Sequence, residues 1–333
     1  MGDSDPPPRH LGRRHAMTVG FKVVVLGATG GLLEGNLNAF LIAPRGHQHF
    51  VALDAGSFSA GLEKAWSAGS FGDIEVPGDT DLRPERWILN HCVKAYLISH
   101  AHLDHVAGLV LNSTDDAGPK PLLGLAEPLN YLREHLFNWR IWPNFADSGT
   151  PPCLGKYHYQ LLSQGRSHPI EHTAMTVTPY RLSHSGDYRS TAFLIEAQGH
   201  HVLFFGDTGA DAVENSHCIA TIWDQVAPLV RDGYLRGVLL EVSYPNSKPV
   251  DQLYGHLTPA WMLHELHQLA RRVTHCGASH PRPLEGLTVI ITAIKPSFRK
   301  CTRADEQIRQ ELLAGNDLVV NFVFPHQGEC IVL

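Results

Sequence analysis

Nowhere in these 333 residues is there an apolar run near the roughly 20 residues that a membrane span needs. The opening MGDSDPPPRHLGRRHAM lacks the apolar core of a secretion signal, and residues 1–17, rich in Pro, Arg and His, are expected to be a flexible leader outside the fold. The chain is therefore expected in the cytoplasm. Basic excess is missing too: 27 Lys and Arg against 33 Asp and Glu give a formal net charge of −6, and no Lys/Arg run exceeds the pairs Arg13–Arg14 and Arg271–Arg272. Long polyanions are gripped by clustered cations, so no long nucleic acid is expected as a partner. The six cysteines, Cys92, Cys153, Cys218, Cys276, Cys301 and Cys330, show no C-x-x-C spacing in a chain too large to need disulfide staples. They read as reduced thiols.

Hydrophobic residues make up 43% of the chain and charged residues 18%, which supplies a sizeable core. Short β-branched runs recur, each closed by polar residues or Gly: Phe21–Gly27, Asn38–Ala43, Phe50–Asp54, Val93–Ser99, Met175–Ser183, Thr191–Glu196, His201–Gly206, Gly237–Val242, Thr288–Thr292 and Leu318–Phe324. Helical patterns lie between them, one opening over Gly108–Asn112 and others over Pro128–Trp139, Ile219–Asp232, Pro259–Val273 and Ala304–Ala314. Hairpin-like strands first, then strands alternating with helices, predict two sheets between outer helix layers in one domain over residues 18–333. The interval 115–173, with Gly118, Pro119, Pro121, Pro143, Pro151 and Pro152 around a helix, reads as an insertion over that sandwich.

Histidine is abundant, with 22 residues, and imidazole is both a common metal ligand and a natural acid–base group. The run Ser99-His100-Ala101-His102-Leu103-Asp104-His105-Val106-Ala107-Gly108-Leu109 follows the apolar segment VKAYLIS. Burying four such polar side chains without partners would cost too much, so His100, His102, Asp104 and His105 are expected to converge on metal. His100 and His102 point the same way in an extended segment, and Asp104 and His105 follow where the chain turns into a helix. That arrangement can feed two adjacent ions. Mixed imidazole and carboxylate ligation suits zinc, with manganese or iron as alternatives.

H-x-H-x-D-H after a strand resembles the hallmark of the metallo-β-lactamase superfamily. The longer HAHLDHVAGLVLNS resembles the signature of the class II 3′,5′-cyclic-nucleotide phosphodiesterases, departing at Thr114, where Ala or Pro is usual. The resemblance covers most of residues 20–300. It implies a metallo-β-lactamase-type αββα sandwich, two divalent ions and a cyclic nucleotide, cyclic AMP or cyclic GMP, as substrate. It further implies that His100, His102 and His184 hold one ion and Asp104 and His105 the other, with Asp207 of HHVLFFGDTG between them. Asp54 matches an early aspartate that supports the site without ligating. Glu241 and His256 resemble a Glu/His pair shared with tRNA 3′-processing endonucleases, in which the histidine protonates a leaving alkoxide. One position departs. Where the family has His-Ile-Lys-Pro-Ser, its histidine a ligand of the second ion, this chain has Ala293-Ile294-Lys295-Pro296-Ser297. Ala293 fits either a natural variant or an introduced ligand-to-alanine change, and on either reading it implies weakened catalysis.

The implied reaction is attack on phosphorus by a hydroxide bridging the ions, with Asp104, Glu241 and His256 as catalytic residues and a 5′-nucleotide as product. The Gly-rich stretch Gly27–Gly31 fits either a turn presenting N–H groups to the nucleotide or a plain tight turn. On the first reading Asn36, Asn38 and His256 contact substrate. Trp139, Trp142 and Phe145 of the insertion fit either packing onto the core or stacking on a purine. A tRNA-processing nuclease, a lactonase or thioesterase, and a nucleotide-binding module with impaired catalysis are the rival readings. Base preference and formation of a homodimer are left open.

Overall fold

In the computed structural model, which describes residues 20–278, 280–298 and 303–333, the strands form two seven-stranded sheets. The first sheet runs β14 (Cys330–Val332), β1 (Phe21–Gly27), β2 (Ala39–Pro44), β3 (Phe50–Leu53), β4 (Val93–Leu97), β5 (Lys120–Gly124) and β6 (Tyr157–Leu161). The second runs β13 (Asn321–Val323), β12 (Thr288–Thr292), β11 (Leu235–Glu241), β10 (His200–Phe205), β9 (Arg189–Ala197), β8 (Met175–Ser183) and β7 (His168–Ile170). Each sheet begins as an antiparallel meander and continues with parallel strands, the change falling at β3–β4 in one and β10–β11 in the other. Helices α1 (Ser59–Ser67), α2 (Pro84–His91), α3 (Leu103–Asn112) and the short α4 (Ala126–Tyr131) accompany the first sheet. The short α5 (Asp211–Glu214), then α6 (Cys218–Arg231), α7 (Pro259–His275) and α8 (Ala304–Ala314), accompany the second.

Side-chain alternation builds the layers. In β1, Val23 and Val25 enter the layer between the sheets with Phe40, Phe193 and Phe204, while Val24 and Leu26 face Phe58 and Leu62 on the helix side. Phe40 and Phe204 meet edge to face across the two sheets at 6.4 Å. Each buried Val, Leu or Phe contributes about 1.5–3 kcal/mol relative to exposure, and a strand buried on both faces gains at every position. On the far side, α7 starts where Thr258 accepts the Trp261 amide at 3.4 Å ahead of Pro259, and it buries Met262, Leu266, Leu269 and Val273 against the second sheet. The structure is thus an αββα sandwich.

The interval expected to be an insertion is part of the sandwich: it supplies β5 and β6 at one sheet edge and β7 at the other. Asp116 anchors it from inside, accepting the hydroxyls of Tyr96 (2.7 Å) and Tyr157 (3.0 Å) and pairing with Lys120. Trp142 donates to Ser113 Oγ at 3.0 Å and Phe145 is buried, so these two aromatics pack onto the core, while Trp139, 43% exposed, donates to the Pro152 carbonyl. The expected helix Pro128–Trp139 breaks after a π turn at Leu132–Leu136, and the expected strand Leu318–Phe324 shrinks to β13. Cys92, Cys153, Cys218, Cys276 and Cys330 are free. The expected leader, residues 1–17, and Cys301 lie outside the described residues. No helix among the described residues is long and apolar enough to cross a membrane.

Glu265 on α7 is buried and accepts the Asp211 amide at 3.0 Å; burial, which penalises its charge, pushes the carboxyl up from 4.5 to about 7. The unfolded chain then holds fewer protons than the folded one between those values, so stability falls as pH rises through that window. Glu265→Gln, which mimics the protonated form, is expected to remove roughly 1–3 kcal/mol of that fall. Thermal midpoints measured from pH 5 to 8 check this; parallel curves for the two proteins would refute it.

Candidate metal centre

The expected site residues sit at the carboxyl ends of strands from both sheets. Asp54 follows β3, His100 and His102 follow β4, His184 follows β8, Asp207 follows β10, Glu241 ends β11 and Ala293 follows β12. Loops at that end of an α/β sheet are where such side chains can meet. His102 occupies the position just before α3, so Asp104 and His105 belong to its first turn. The turn after Asp54 is pressed against that helix: the Ala55 amide donates to His105 (2.7 Å), Gly108 donates to Gly56 (2.9 Å), and a Cβ on Gly56 would lie 2.0 Å from the Asp104 carbonyl. Only glycine allows this approach.

His100, His102 and His184 form one donor group. Nε2 of His100 and Nε2 of His184 lie 3.2 and 3.3 Å from Nδ1 of His102. Their other nitrogens are held from behind, His184 Nδ1 donating to the Gly255 carbonyl at 2.8 Å and His100 Nδ1 lying 2.9 Å from Ser99 Oγ. His102, on the exposed side, is stacked on Tyr188 with centroids 4.5 Å apart and an interplanar angle of 8°. Burial and the neighbouring His184 lower His102 to about 4, and burial likewise lowers His100 and His184. Neutral imidazoles with their lone pairs aimed at one point are what a cation needs.

Asp104, His105 and Asp207 form the neighbouring group. Asp54, fully buried, accepts the Ser99 amide (2.7 Å) and hydroxyl (2.6 Å) and lies 2.7 Å from His105 Nδ1. The opposite nitrogen, Nε2, is buried without a hydrogen bond and lies 3.3 Å from Asp207 Oδ1. Burial lowers the pKa of His105, but Asp207 and Asp54 outweigh it and hold the ring well above its ordinary value. Burial would raise Asp207, yet His105 and then His256 hold it well below the carboxylate range. A buried nitrogen with no partner among carboxylates, beside three inward-facing imidazoles, fits divalent cations.

His256, 6% exposed, has Nδ1 2.8 Å from Glu241 Oε1 and 3.2 Å from Ser243 Oγ, and its ring lies 4.9 Å from that of His184. Glu241 is fixed by the amides of Thr208 (3.1 Å) and Leu257 (3.4 Å). Burial lowers His256, but Glu241 more than offsets this and the ring is raised.

Asn36 and Asn38, expected at the substrate, lie beside the glycine turn and the centre, and Asn38 Oδ1 is buried without a hydrogen bond. Asn38 is buried with Nδ2 3.5 Å from His105 Nδ1, and Asn36 accepts the Ala28 amide through both its carbonyl (3.1 Å) and Oδ1 (3.2 Å). The amides of the Gly-rich stretch also go to protein: Thr29 to Asn36 (2.9 Å), Gly30 to Ile294 (3.1 Å) and Gly31 to Asp104 Oδ2 (3.0 Å). It is a tight turn that helps hold Asp104. Ala293 is buried in a left-handed conformation (φ 54°), its carbonyl accepting the Ser243 hydroxyl at 3.0 Å, and Asp54, Ser185 and Tyr254 share that backbone region at φ 53°, 56° and 51°. Tyr188 and Lys295 were given no role by sequence reasoning. Lys295 reaches within 3.6 Å of Asp104 Oδ2, and its proximity to the motif position 293 was the one available signal.

Residues 21–328 match the model of the family described as cAMP phosphodiesterases class-II. The chain is 41% identical over 316 residues to a 3′,5′-cyclic-nucleotide phosphodiesterase of Aliivibrio fischeri, covering 95% of this chain and 94% of that one. It is 38% identical over 312 residues to a probable 3′,5′-cyclic-nucleotide phosphodiesterase of Yersinia pestis, covering 94% and 89%. Among solved structures it is similar to unliganded yeast PDE1, with a TM-score of 0.77 and 24% identity over 95% of this chain and 100% of that one. The metallo-β-lactamase fold protein YhfI of Bacillus subtilis gives 0.57 at 14% identity, covering 94% and 99%. The fold is of the metallo-β-lactamase type.

Position 293 offers a direct test of the donor sets. A methyl group cannot ligate, whereas histidine tolerates left-handed backbone better than most residues. Ala293→His is expected to tighten a second ion at least about tenfold, the scale reached by removing even a ligand's own hydrogen-bond partner. Metal per chain, measured by mass spectrometry after dialysis at limiting zinc, should rise. An unchanged content would remove residue 293 from the site.

Proposed function

From the premise that this chain belongs to the class-II cAMP phosphodiesterase family, we propose how its residues hydrolyse a 3′,5′-cyclic nucleotide. His100, His102 and His184 would hold one divalent ion and Asp104 and His105 a second, with Asp207 available to either. Zinc suits these donors, with manganese or iron as alternatives. When bound, such ions supply a nucleophile at neutral pH and neutralise phosphate charge. Asp54 orients His105, Gly255 orients His184, and Tyr188 fixes His102 by stacking.

The observation that carries the proposal is the buried Glu241–His256 pair. Its 2.8 Å contact engages Nδ1 and leaves Nε2 for a substrate atom, on a ring 4.9 Å from His184. As water oxygen adds to phosphorus and the bond from phosphorus to the ribose 3′-oxygen breaks, His256 gives its proton to that departing oxygen. Glu241 keeps the ring charged until the transfer. A thioesterase expels a thiolate, which leaves without needing a proton, and a long nucleic acid finds no basic excess to grip it.

Exhaustive chelation is expected to abolish cyclic AMP hydrolysis, and added Zn²⁺ or Mn²⁺ to restore it; full activity in protein verified as metal-free would exclude the mechanism. His256→Ala is expected to lower kcat by about 10²–10⁴-fold at unchanged metal content. The loss should shrink on a nitrophenyl phosphodiester, whose leaving group needs no proton. Equal losses on both substrates would assign His256 a structural role.

A further inference from the structure

Lys295 lies three residues beyond β12, where the family motif continues past position 293. Its backbone is fixed, the amide donating to the Ser243 carbonyl at 3.1 Å. Its stem is fixed too: a Cβ on Gly30 would come within 3.2 Å of Lys295 Cγ and 3.1 Å of Nζ. The glycine turn thus leaves a channel along which the side chain runs to the centre, and Ile294 and Pro296 on either side line a cavity of about 720 Å³ instead.

The ammonium ends 3.6 Å from Asp104 Oδ2, an oxygen that already accepts the Gly31 amide at 3.0 Å. That separation exceeds the range of a normal N–H···O bond, so the contact is a loose ion pair. The side chain remains 21% exposed. A lysine ammonium is a cation at neutral pH, and this one ends on the Asp104 side of the donor group. A fixed, weakly engaged cation therefore looks onto a carboxylate of the candidate metal centre.

We propose that Lys295 is a phosphate-binding residue of the hydrolytic site, its ammonium taking a non-bridging oxygen of the phosphodiester on the Asp104 side while His256 serves the ester oxygen. This rests on the hydrolytic reading above and adds a substrate contact to it. Phosphate oxygens are better partners for the ammonium than an Asp104 oxygen already shared with Gly31, because each carries charge and presents unshared lone pairs. Where residue 293 brings no imidazole, this contact bears a larger share in holding the phosphate.

The test uses the metal-loaded full chain with Lys295→Met and Lys295→Arg, titrated with inorganic phosphate by calorimetry, with metal per chain measured on the same samples. Lys295→Met is expected to keep its metal and to bind phosphate about 10–100-fold more weakly, the scale of one lost charged hydrogen bond. Lys295→Arg should recover most of that affinity, and the salt dependence of binding should flatten only in the Met variant. Equal phosphate affinity at equal metal content would overturn the proposal. So would loss of metal in Lys295→Met, which would make the lysine a support for Asp104. Cyclic AMP turnover by the unsubstituted chain from the same preparation reports separately on the hydrolytic reading: its absence would sink that reading, while the phosphate titrations still decide Lys295.

Discussion

A fully buried carboxylate, that of Asp54, is the interaction on which the rest of the centre depends. A charge without water is tolerated only when it is fully partnered, and Asp54 is: the Ser99 amide and hydroxyl and His105 Nδ1 surround it within 2.7 Å. Those partners come from the end of β4 and the first turn of α3, so one side chain fixes the direction in which the histidine-rich loop leaves its strand. The close approach of Gly56 to α3 follows from the same requirement. With Asp54 in place, His105 Nε2 can point only towards Asp207.

The centre separates two electrostatic environments a few ångströms apart. Around His102 the neighbours are other imidazoles and the ring stack of Tyr188, and burial keeps protons off. Around His105 the neighbours are carboxylates, which favour positive charge whether it arrives as a proton, an ammonium or a metal ion. Glu241 and His256 continue the second environment, and Lys295 closes it from the side of the glycine turn. The difference arises from which strand ends contribute acidic groups, a property of topology more than of local sequence.

Much of this was legible in the sequence. The strands Phe21–Gly27, Met175–Ser183 and Thr288–Thr292 and the helix Ala304–Ala314 begin and end where the sequence pattern places them, because each apolar or β-branched run there is closed by polar residues or Gly. The H-x-H-x-D-H run stood out because no bland use exists for so many donors in a turn. What was hidden is equally physical. β5, β6 and β7 lie among Pro and Gly residues that mimic an irregular insertion, and β14 is too short to show a period. Asn38 is expected at the substrate on sequence grounds, whereas its burial beside His105 is a long-range fact. The amides of Gly27–Gly31 could be assigned to protein acceptors only once residues 36, 104 and 294 were seen beside them.

Each donor group draws from both halves of the sandwich: His100 and His102 with His184 across the sheets, and Asp104 and His105 with Asp207. An ion held there is a clasp between two layers otherwise joined at this end by loops, several in left-handed backbone. Whatever binds the folded chain and not the unfolded one shifts the balance towards folded. A chain that has taken up no metal would lack that clasp, so the donor groups that serve the reaction would also help fasten one end of the sandwich.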